Sequence, residues 1–351
     1  MDSTKTIVTK ETKNKIHVDY EGKLTFKERL TEKLKSSFTW IKALISIFRF
    51  LLMLGVSFVI IFPFVSKIAG SFMSPMDVID STVAFIPKNP TLDIYKYIII
   101  ENHYLEALLN TTLLSLLCAL IQMLISCLVG YGLAKFKFKG NKAVMIAVVI
   151  SMIIPHTAMR YSFQKHFENF DFGTIMGLDY KGPIELILGE TLTITNTFWP
   201  IIILSIFGLA FKNGLYIYLM RQFFKGVPDE LEESAYVDGS GTLRTFFQII
   251  LPLAVPMLIT VFLFSFSWQW TDEFYVSVFF RGGNDTGMYM MPDVYQVPPP
   301  SLVDKNFAGA SLYEMVIRNT AGIMIIAPLV IIYLFCQKYL VQGIERSGLV
   351  G

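Results

Sequence analysis

The most polar stretch between the hydrophobic segments of the chain's second half covers residues 230–252. Glu232 and Glu233 lie in its acidic opening, where they complement the positive start of a helix. Gly239 can leave that helix with a positive φ angle, and Ser240 can cap a second helix. The sequence therefore predicts a short acidic helix, a sharp turn and a second helix that continues into the next apolar segment. Such a unit could carry force from a soluble partner into a membrane span.

The sequence contains no grouping of polar residues that is typical of catalysis. The four histidines are scattered along the chain, and the sequence contains no Ser/His/Asp grouping and no phosphate-binding Gly-Lys-Ser/Thr loop. The three cysteines lie inside apolar runs, where they suit packing positions. We therefore expect a non-catalytic chain that binds no metal and no cofactor of its own and cannot hydrolyse ATP.

The composition indicates a membrane protein. The chain is 53% hydrophobic and 17% charged, whereas soluble domains are about 25% charged. Six apolar segments are each about long enough to cross a hydrocarbon core, which takes about 20 helical residues. They cover approximately residues 45–68, 108–134, 142–156, 199–219, 252–266 and 320–336. The sequence thus predicts an all-α membrane protein with six transmembrane helices. The net charge of +2 gives no indication of nucleic-acid binding.

The distribution of basic residues predicts the orientation. If the N-terminus is cytoplasmic, the inside segments hold 20 Lys and Arg residues and the outside segments hold nine. The positive-inside rule then places both termini and the acidic loop in the cytoplasm, which is where an ATPase partner would be.

The spacing of residues 230–252 resembles the EAA loop in the membrane subunits of ATP-binding-cassette importers. The family pattern is E-A-A, three residues, G, nine residues and I-x-L-P, and here Ser234 replaces the first alanine. The resemblance implies that this segment is the coupling helix that docks on an ATPase subunit. The residues that it assigns to coupling are Glu232, Glu233, Ser234, Ala235, Asp238, Gly239, Leu251 and Pro252.

The resemblance also implies a role for individual coupling residues. Glu232 and Glu233 would make polar contacts with the ATPase, and Ala235 would allow close docking. Gly239 would set the turn, and the Leu251-Pro252 pair would join the loop rigidly to the fifth span.

Further tracts resemble the permeases of carbohydrate importers. Residues 131–140 are similar to A-Y-x-L-A-R-F-x-F-x-G, with Lys135 where Arg is usual, and residues 196–199 are similar to the N-T-x-W that opens the fourth span. Residues 337–343 match the Q-x-Y-x-x-x-G tail of the smaller permease subunit of maltose-type systems. The family's closing Gly-Ala-Val-Lys-Gly lacks its Lys here. The resemblance covers about residues 45–351.

This resemblance implies a type I importer permease with six helices and a cytoplasmic EAA coupling helix, working by alternating access in the bacterial cytoplasmic membrane. It implies ABC ATPase subunits that carry ATP and Mg, a second permease in a heterodimer, and an extracellular or periplasmic solute-binding protein. The implied substrate is a sugar, and the long outside loops favour an oligosaccharide.

Candidates for the substrate path are polar and aromatic residues near the fifth span and in the second. A sugar is held by a few hydrogen bonds and by aromatic rings against its C–H faces. The candidates are Trp268, Gln269, Trp270 and Asn110. Tryptophans also form belts at membrane interfaces, and Asn110 could instead bond a neighbouring helix.

Residues 1–44 form a basic N-terminal extension that holds ten of the 30 Lys and Arg residues. Leu30, Leu34, Phe38 and Ile41 recur at close to helical spacing, which predicts either an amphipathic helix on the inner membrane face or a solvated extension. Residues 157–198 form an outside connection longer than the family's, and residues 273–319 are also long. Both are predicted surfaces for a solute-binding protein.

An ion-gradient-driven secondary transporter is the alternative class. It requires ionisable residues within the spans as an ion relay, and only Lys212, Asp272 and Glu273 lie near membrane depth. It does not require a coupling loop.

Overall fold

The computed structural model describes residues 8–11, 17–20, 37–171, 182–280, 288–296 and 308–346. Contacts divide the chain into two units, Met1–Ser66 and Lys67–Gly351. Within the described ranges the structure is helical, with one short antiparallel strand pair in the first unit.

The first unit contains that strand pair and most of the first long helix. Strand β1 (Val8–Glu11) pairs with β2 (His17–Tyr20), and Val8 lies opposite Tyr20. Helix α1 (Ser37–Gly70) begins in this unit. The predicted amphipathic helix falls partly outside the described residues, since these omit 21–36, while its last position, Ile41, belongs to α1.

The second unit is a succession of long and short helices. They are α2 (Pro75–Ile79), α3 (Asp93–Ile100), α4 (Tyr104–Lys135), α5 (Asn141–Ile153), α6 (Arg160–Glu168), α7 (Pro183–Leu188), α8 (Trp199–Ile206), α9 (Asn213–Lys225), α10 (Glu230–Val237), α11 (Thr242–Thr245), α12 (Leu251–Trp270), α13 (Glu273–Phe279), α14 (Met291–Gln296) and α15 (Ala310–Arg346).

Four helical stretches are long and apolar enough to cross a membrane, and they contain the first, second, fifth and sixth predicted spans. Their bounds are Trp40–Gly70, Tyr104–Lys135, Thr242–Trp270 and Ala310–Val341. Each is longer than the predicted segment, because the helical backbone continues into polar residues beyond both ends of the apolar run.

The third and fourth predicted segments are not single straight helices. Helix α5 ends before Pro155, and its pair with the helical stretch His156–Glu168 is bent by 90°. Proline disfavours helical backbone at the residue before it, and Ile154 is accordingly extended. Among the described residues, four helices are long and apolar enough to span a membrane, or five if this bent pair is one span. Continuous helices in these ranges therefore do not account for all six predicted spans.

The fourth segment is broken between α8 and α9. Gly208 and Lys212 both have positive φ angles, 71° and 63°, and backbone in that region cannot continue a right-handed helix. Glycine adopts it without steric cost. The break leaves helices of eight and 13 residues in place of one span.

Helix α4 is the centre of the packing, with α9 and α12 against it and α15 against α12. Tyr216, Phe224, Phe246 and Ile250 form a buried cluster on the α9 and α12 side. A second cluster joins Trp270 on α12 to α15. These contacts fix the polar stretch and the broken segment relative to α4.

The described residues of the outside connection 157–198 pack on α13. The rings of Phe163 and Phe167 lie near Phe279, with centroids 6.3 and 5.1 Å away. Phe170 pairs with Leu192 in an antiparallel bridge. Residues 172–181 of this connection, and residues 281–285 and 298–300 of the later one, lie outside the described ranges.

Candidate coupling helix and membrane cavity

The polar stretch folds as a helix, a tight turn and a second helix, as predicted. Helix α10 ends at Val237, and Gly239 follows with a φ of 81°. The Gly239 N–H donates to the Tyr236 carbonyl at 3.0 Å, and the Ser240 N–H donates to the Ala235 carbonyl at 2.9 Å. These bonds satisfy carbonyls that the helix end leaves free, which is the function of a left-handed glycine after a helix.

The second helix differs from the prediction at its cap. Gly241 is the residue before α11, and no side chain caps it, while Ser240 instead accepts a bond from the Thr245 hydroxyl at 3.1 Å. The stretch Phe246–Ile250 is a π-helical turn, so that the Leu251 N–H donates to the Phe246 carbonyl. Pro252 has no N–H for the regular ladder, and a π-turn is one way in which a helix adjusts locally. The helical path from Thr242 to Trp270 is therefore continuous.

Helix α10 has an inward and an outward face. Glu232 and Ala235 point inward, with exposed fractions of 8% and 6%. Glu233, Ser234 and Asp238 are exposed. This distribution differs from the expectation that Glu232 and Ala235 face a partner, because the structure puts both against this chain.

Lys135 at the end of α4 holds the start of α10. Its Nζ donates to the Val227 carbonyl at 2.7 Å and to Asp229 Oδ1 at 2.6 Å, and Glu232 Oε1 lies 3.9 Å away. The Lys135 side chain is only 6% exposed. A buried ammonium requires such partners, so this contact fixes the start of α10 to the C-terminal end of α4.

Electrostatics at this contact act in opposite directions on the two acids. The hydrogen bond from Lys135 holds the pKa of Asp229 below its usual range. Burial raises the pKa of Glu232, and the Lys135 charge opposes that rise. Asp229 thus bonds the ammonium directly, whereas Glu232 lies further from it, at 3.9 Å.

Sequence reasoning missed the role of Lys135, although it noted the residue as a departure from the family's Arg. The signal was a cation at the end of an apolar segment, combined with an acidic helix start 94 residues later. Nothing in the spacing joins two positions so far apart. Only the packing of α4 against α9 brings them together.

A cavity of about 250 Å³ opens at the breaks in the third and fourth segments. Its walls come from the end of α5, the turn after Pro155, the link between α8 and α9, and the start of α9. Its polar lining comprises Ser151, His156, Lys212 and Asn213. The Asn213 side chain is fully buried, and its Nδ2 has no hydrogen-bond partner among the described residues.

Trp268 and Trp270 occupy different environments. Trp268 is 46% exposed, and its ring lies 5.4 Å from Phe211 in the cavity wall. Trp270 is 1% exposed, and its Nε1 donates to the Ile325 carbonyl at 2.9 Å. The structure therefore packs Trp268 behind Phe211, which lines the cavity, and buries Trp270 between α12 and α15.

The other two substrate-path candidates lie outside the cavity lining. Gln269 is 7% exposed, and its Nε2 has no hydrogen-bond partner in the part of the chain that the structure describes. Asn110 donates from Nδ2 to the Tyr289 carbonyl at 3.1 Å. The interhelical alternative for Asn110 is thus realised as a bond to the segment before α14.

Asp272, the buried acid that follows the fifth predicted span, caps a helix. Asp272 Oδ1 accepts from the N–H groups of Phe274 and Tyr275 at 3.0 and 3.1 Å, so it caps α13. Burial raises the pKa of Asp272 to about 7, and these two N–H donors oppose the rise.

The fold and the site define a class of protein, a polytopic helical membrane subunit with a polar helix-turn-helix joined to a span. The family described as "Binding-protein-dependent transport system inner membrane component" matches residues 122–346. The chain belongs to this family. It is a permease subunit of an ATP-binding-cassette importer, in which a partner subunit hydrolyses ATP, and it lies in the cytoplasmic membrane.

Relatives and one solved structure agree with this assignment. The chain is 28% identical over 311 residues to the galactooligosaccharides transport system permease protein of Bacillus subtilis, covering 87% of this chain and 95% of the relative. It is 25% identical to the polygalacturonan/rhamnogalacturonan transport system permease protein of the same organism, covering 87% and 97%. A bacterial ABC transporter involved in the import of the acidic polysaccharide alginate shares the fold, with a TM-score of 0.61 and 21% identity over 87% of this chain and 98% of that chain.

Proposed function

We propose that this chain is the permease subunit of an ATP-driven importer for a carbohydrate, most suitably an oligosaccharide. The observation that carries the proposal is the continuous helix from Thr242 to Trp270. It joins the turn at Gly239 to Trp268, whose ring packs on Phe211 in the cavity wall. One rigid element thereby connects the place where a partner ATPase would act to the place where a solute would pass.

Two independent features support a carbohydrate as the solute. The relatives named above are permeases of oligosaccharide and polysaccharide systems. The cavity combines the ring of Phe211, against which Trp268 packs, with a few polar groups. Aromatic walls with few polar anchors suit a sugar, whose C–H faces are apolar and whose hydroxyls require hydrogen bonds.

The mechanism that we infer is alternating access. Two ATPase subunits close on ATP and draw together α10 of this chain and its counterpart in a second permease. The helical path of 29 residues spans about 43 Å at 1.5 Å per residue, which is enough to cross the membrane core. Movement of α10 therefore reaches the cavity without a flexible joint in that path.

The partner-facing surface that we propose is the outward face of α10. Glu233, Ser234 and Asp238 would contact the ATPase, and Val237, which is 87% exposed, would supply an apolar anchor. Glu232 and Ala235 would keep α10 against α4 and α9. Both termini would be cytoplasmic, and a solute-binding protein would dock on the opposite side, at the two long outside connections.

The first experiment is co-purification of the tagged chain from membranes, followed by ATPase assays with a panel of saccharides. We expect an ATPase and a second permease to accompany the chain, and a saccharide delivered with its binding protein to stimulate hydrolysis. Glu233→Lys should lose the ATPase. Glu190→Lys, which reverses an exposed acid on the predicted outer side, is the matched control and should retain it.

Two outcomes would contradict the proposal. One is a chain that purifies alone and moves solute in vesicles without ATP, which would establish the ion-gradient alternative that Lys212 and the broken segments favour. The other is an ATPase complex that no saccharide stimulates, which would refute the substrate class and leave the importer assignment intact.

A further inference from the structure

Lys212 is a cation at membrane depth. It precedes α9, whose 13 residues extend about 20 Å from their end at Lys225, near the coupling unit. Because the hydrocarbon core is about 30 Å thick, this rise places Lys212 well inside the membrane. Ionisable residues there are costly and are typically functional.

The surroundings of Lys212 do not neutralise its charge. Its Nζ lies 4.9 Å from the ring centre of Phe211 and 5.0 Å from that of Trp268. Among the described residues no carboxylate forms an ion pair with it. The start of α9 beside it is the positive end of a helix dipole, where a cation is disfavoured and an anion is favoured. Lysine and helix start therefore add to the same positive potential.

Asn213 gives an independent sign of a missing ligand. Its side chain is fully buried and lines the cavity, and its Nδ2 donates to nothing in the described structure. A buried donor without a partner is unfavourable, because it has lost its hydrogen bonds to water. Asn213 Oδ1 has only a long contact of 3.5 Å with the Ser126 hydroxyl. The unused donor is thus available at the same wall as the Lys212 ammonium.

We propose that this cavity binds the carboxylate of an acidic sugar unit, with Lys212 as its ion-pair partner and Asn213 as a hydrogen-bond donor. The rings of Phe211 and Trp268 contact the C–H face of the same unit. The volume of about 250 Å³ suits a single sugar unit rather than a whole chain. One lysine against a mostly apolar wall matches the single charge of a carboxylate better than the roughly double charge of a phosphate. This inference rests on the proposed function and specifies its substrate class.

The test is ATP-driven uptake by the complete complex, reconstituted with its binding protein. The probes are a galacturonate disaccharide and the neutral galactose disaccharide of the same linkage. Lys212→Met should lower kcat/KM for the acidic probe about tenfold, since a good ion pair in a dry site contributes on that scale, and should change the neutral probe less than twofold. The comparison of variant with wild type cancels the preference of the binding protein.

Two further variants keep the result interpretable. Lys212→Arg retains the charge and should retain most acidic uptake, so it controls for folding. Asn213→Leu should lower acidic uptake by a smaller factor and should not impair the thermal stability of the complex, since it replaces an unused donor. Lys137→Met, a charge change at an exposed position outside this cavity, should alter neither probe.

The possible failures are distinguishable. If the complex imports only neutral saccharides, or if Lys212→Met affects both probes equally, the acidic-sugar inference is wrong and the carbohydrate importer stands. If no saccharide enters with ATP, the proposed function itself has failed.

Discussion

Polar side chains have different surroundings at the two ends of the region formed by helices α9–α12. At the coupling end, Lys135 is buried and has three oxygen atoms within 3.9 Å. At the cavity, Lys212 lies beside the rings of Phe211 and Trp268, and Asn213 Nδ2 has no hydrogen-bond partner among the described residues. The Lys135 ammonium has its oxygen partners within the chain, whereas in our proposal a ligand supplies the partners at the cavity.

In our proposal, the polar residues at the first end provide rigidity and those at the second provide recognition. The two hydrogen bonds of Lys135 hold α10 in one geometry, which the proposed transmission of movement requires. An unsatisfied donor and an unpaired cation cost stability, and such a cost is expected where function requires it. Substitutions in the coupling unit should therefore reduce transport, and substitutions at the cavity should change which solute is transported.

The largest expected effect follows from breaking the coupling end. Lys135→Met removes the cation that holds the Val227 carbonyl and Asp229, and leaves Glu232 buried without a positive neighbour. Uptake should fall about tenfold or more, because removing one partner of a buried charge contact is strongly unfavourable. Transport in vesicles and the yield of complex after purification measure this.

Lys137→Met and Lys135→Arg are the matched controls for that change. Lys137 is exposed and lies two residues further along the chain, so its loss should leave uptake near the wild-type rate. Lys135→Arg keeps a donor and should retain most activity. Equal losses in Lys135→Met and Lys137→Met would show that bulk charge, not this contact, matters.

A second prediction compares two tryptophans two positions apart. Trp270→Ala should destabilise the subunit by about 3–5 kcal/mol, as large-to-small changes in a packed core do, because Trp270 is 1% exposed and bonds to Ile325. Trp268→Ala should leave the melting temperature nearly unchanged and should raise the KM for uptake severalfold. Thermal unfolding in detergent and uptake kinetics separate the two. A destabilised Trp268→Ala with unchanged KM would remove Trp268 from the cavity.

The smallest expected effect is the pH dependence of stability that arises from Glu232. Burial raises the pKa of Glu232 in the folded state, so its contribution to stability is present below its unfolded pKa and is lost as pH rises through the folded value. Glu232→Gln cannot ionise, and its stability relative to wild type should therefore improve between pH 5 and pH 8, by less than ~1 kcal/mol because the site is near solvent. Thermal unfolding at both values measures this difference. Glu233→Gln, at an exposed position, should show no such trend.

Much of the coupling unit could be predicted from the sequence because local rules determine it. Acidic residues, a glycine and a proline at fixed spacing define the helix, turn and second helix, and Gly239 has the positive φ angle expected of it. The inward orientation of Glu232 and Ala235 could not be predicted in this way. It depends on the packing of α10 toward Lys135, a contact between distant positions.

The broken spans were harder to predict for a different reason. Hydropathy reports whether residues tolerate the membrane core and does not report backbone direction, so residues 199–219 were predicted as one span. Gly208 is a recognisable signal for a break, but a left-handed lysine at position 212 is not. The cavity and the contrast between Trp268 and Trp270 depend on that break and on tertiary packing, and neither follows from periodicity.

The π-helical turn at Phe246–Ile250 sets an angular relation between two working surfaces. A π-turn contains one residue more than an α-helical turn and accommodates that residue by turning less per residue. The segments on its two sides therefore keep the relative orientation in which Trp268 packs on Phe211. Forcing the same residues into a regular α-helix would rotate α11 relative to Trp268 by about a quarter of a revolution, since each α-helical residue turns about 100°. Orientation in this chain thus depends on the geometry of one turn as well as on residue type.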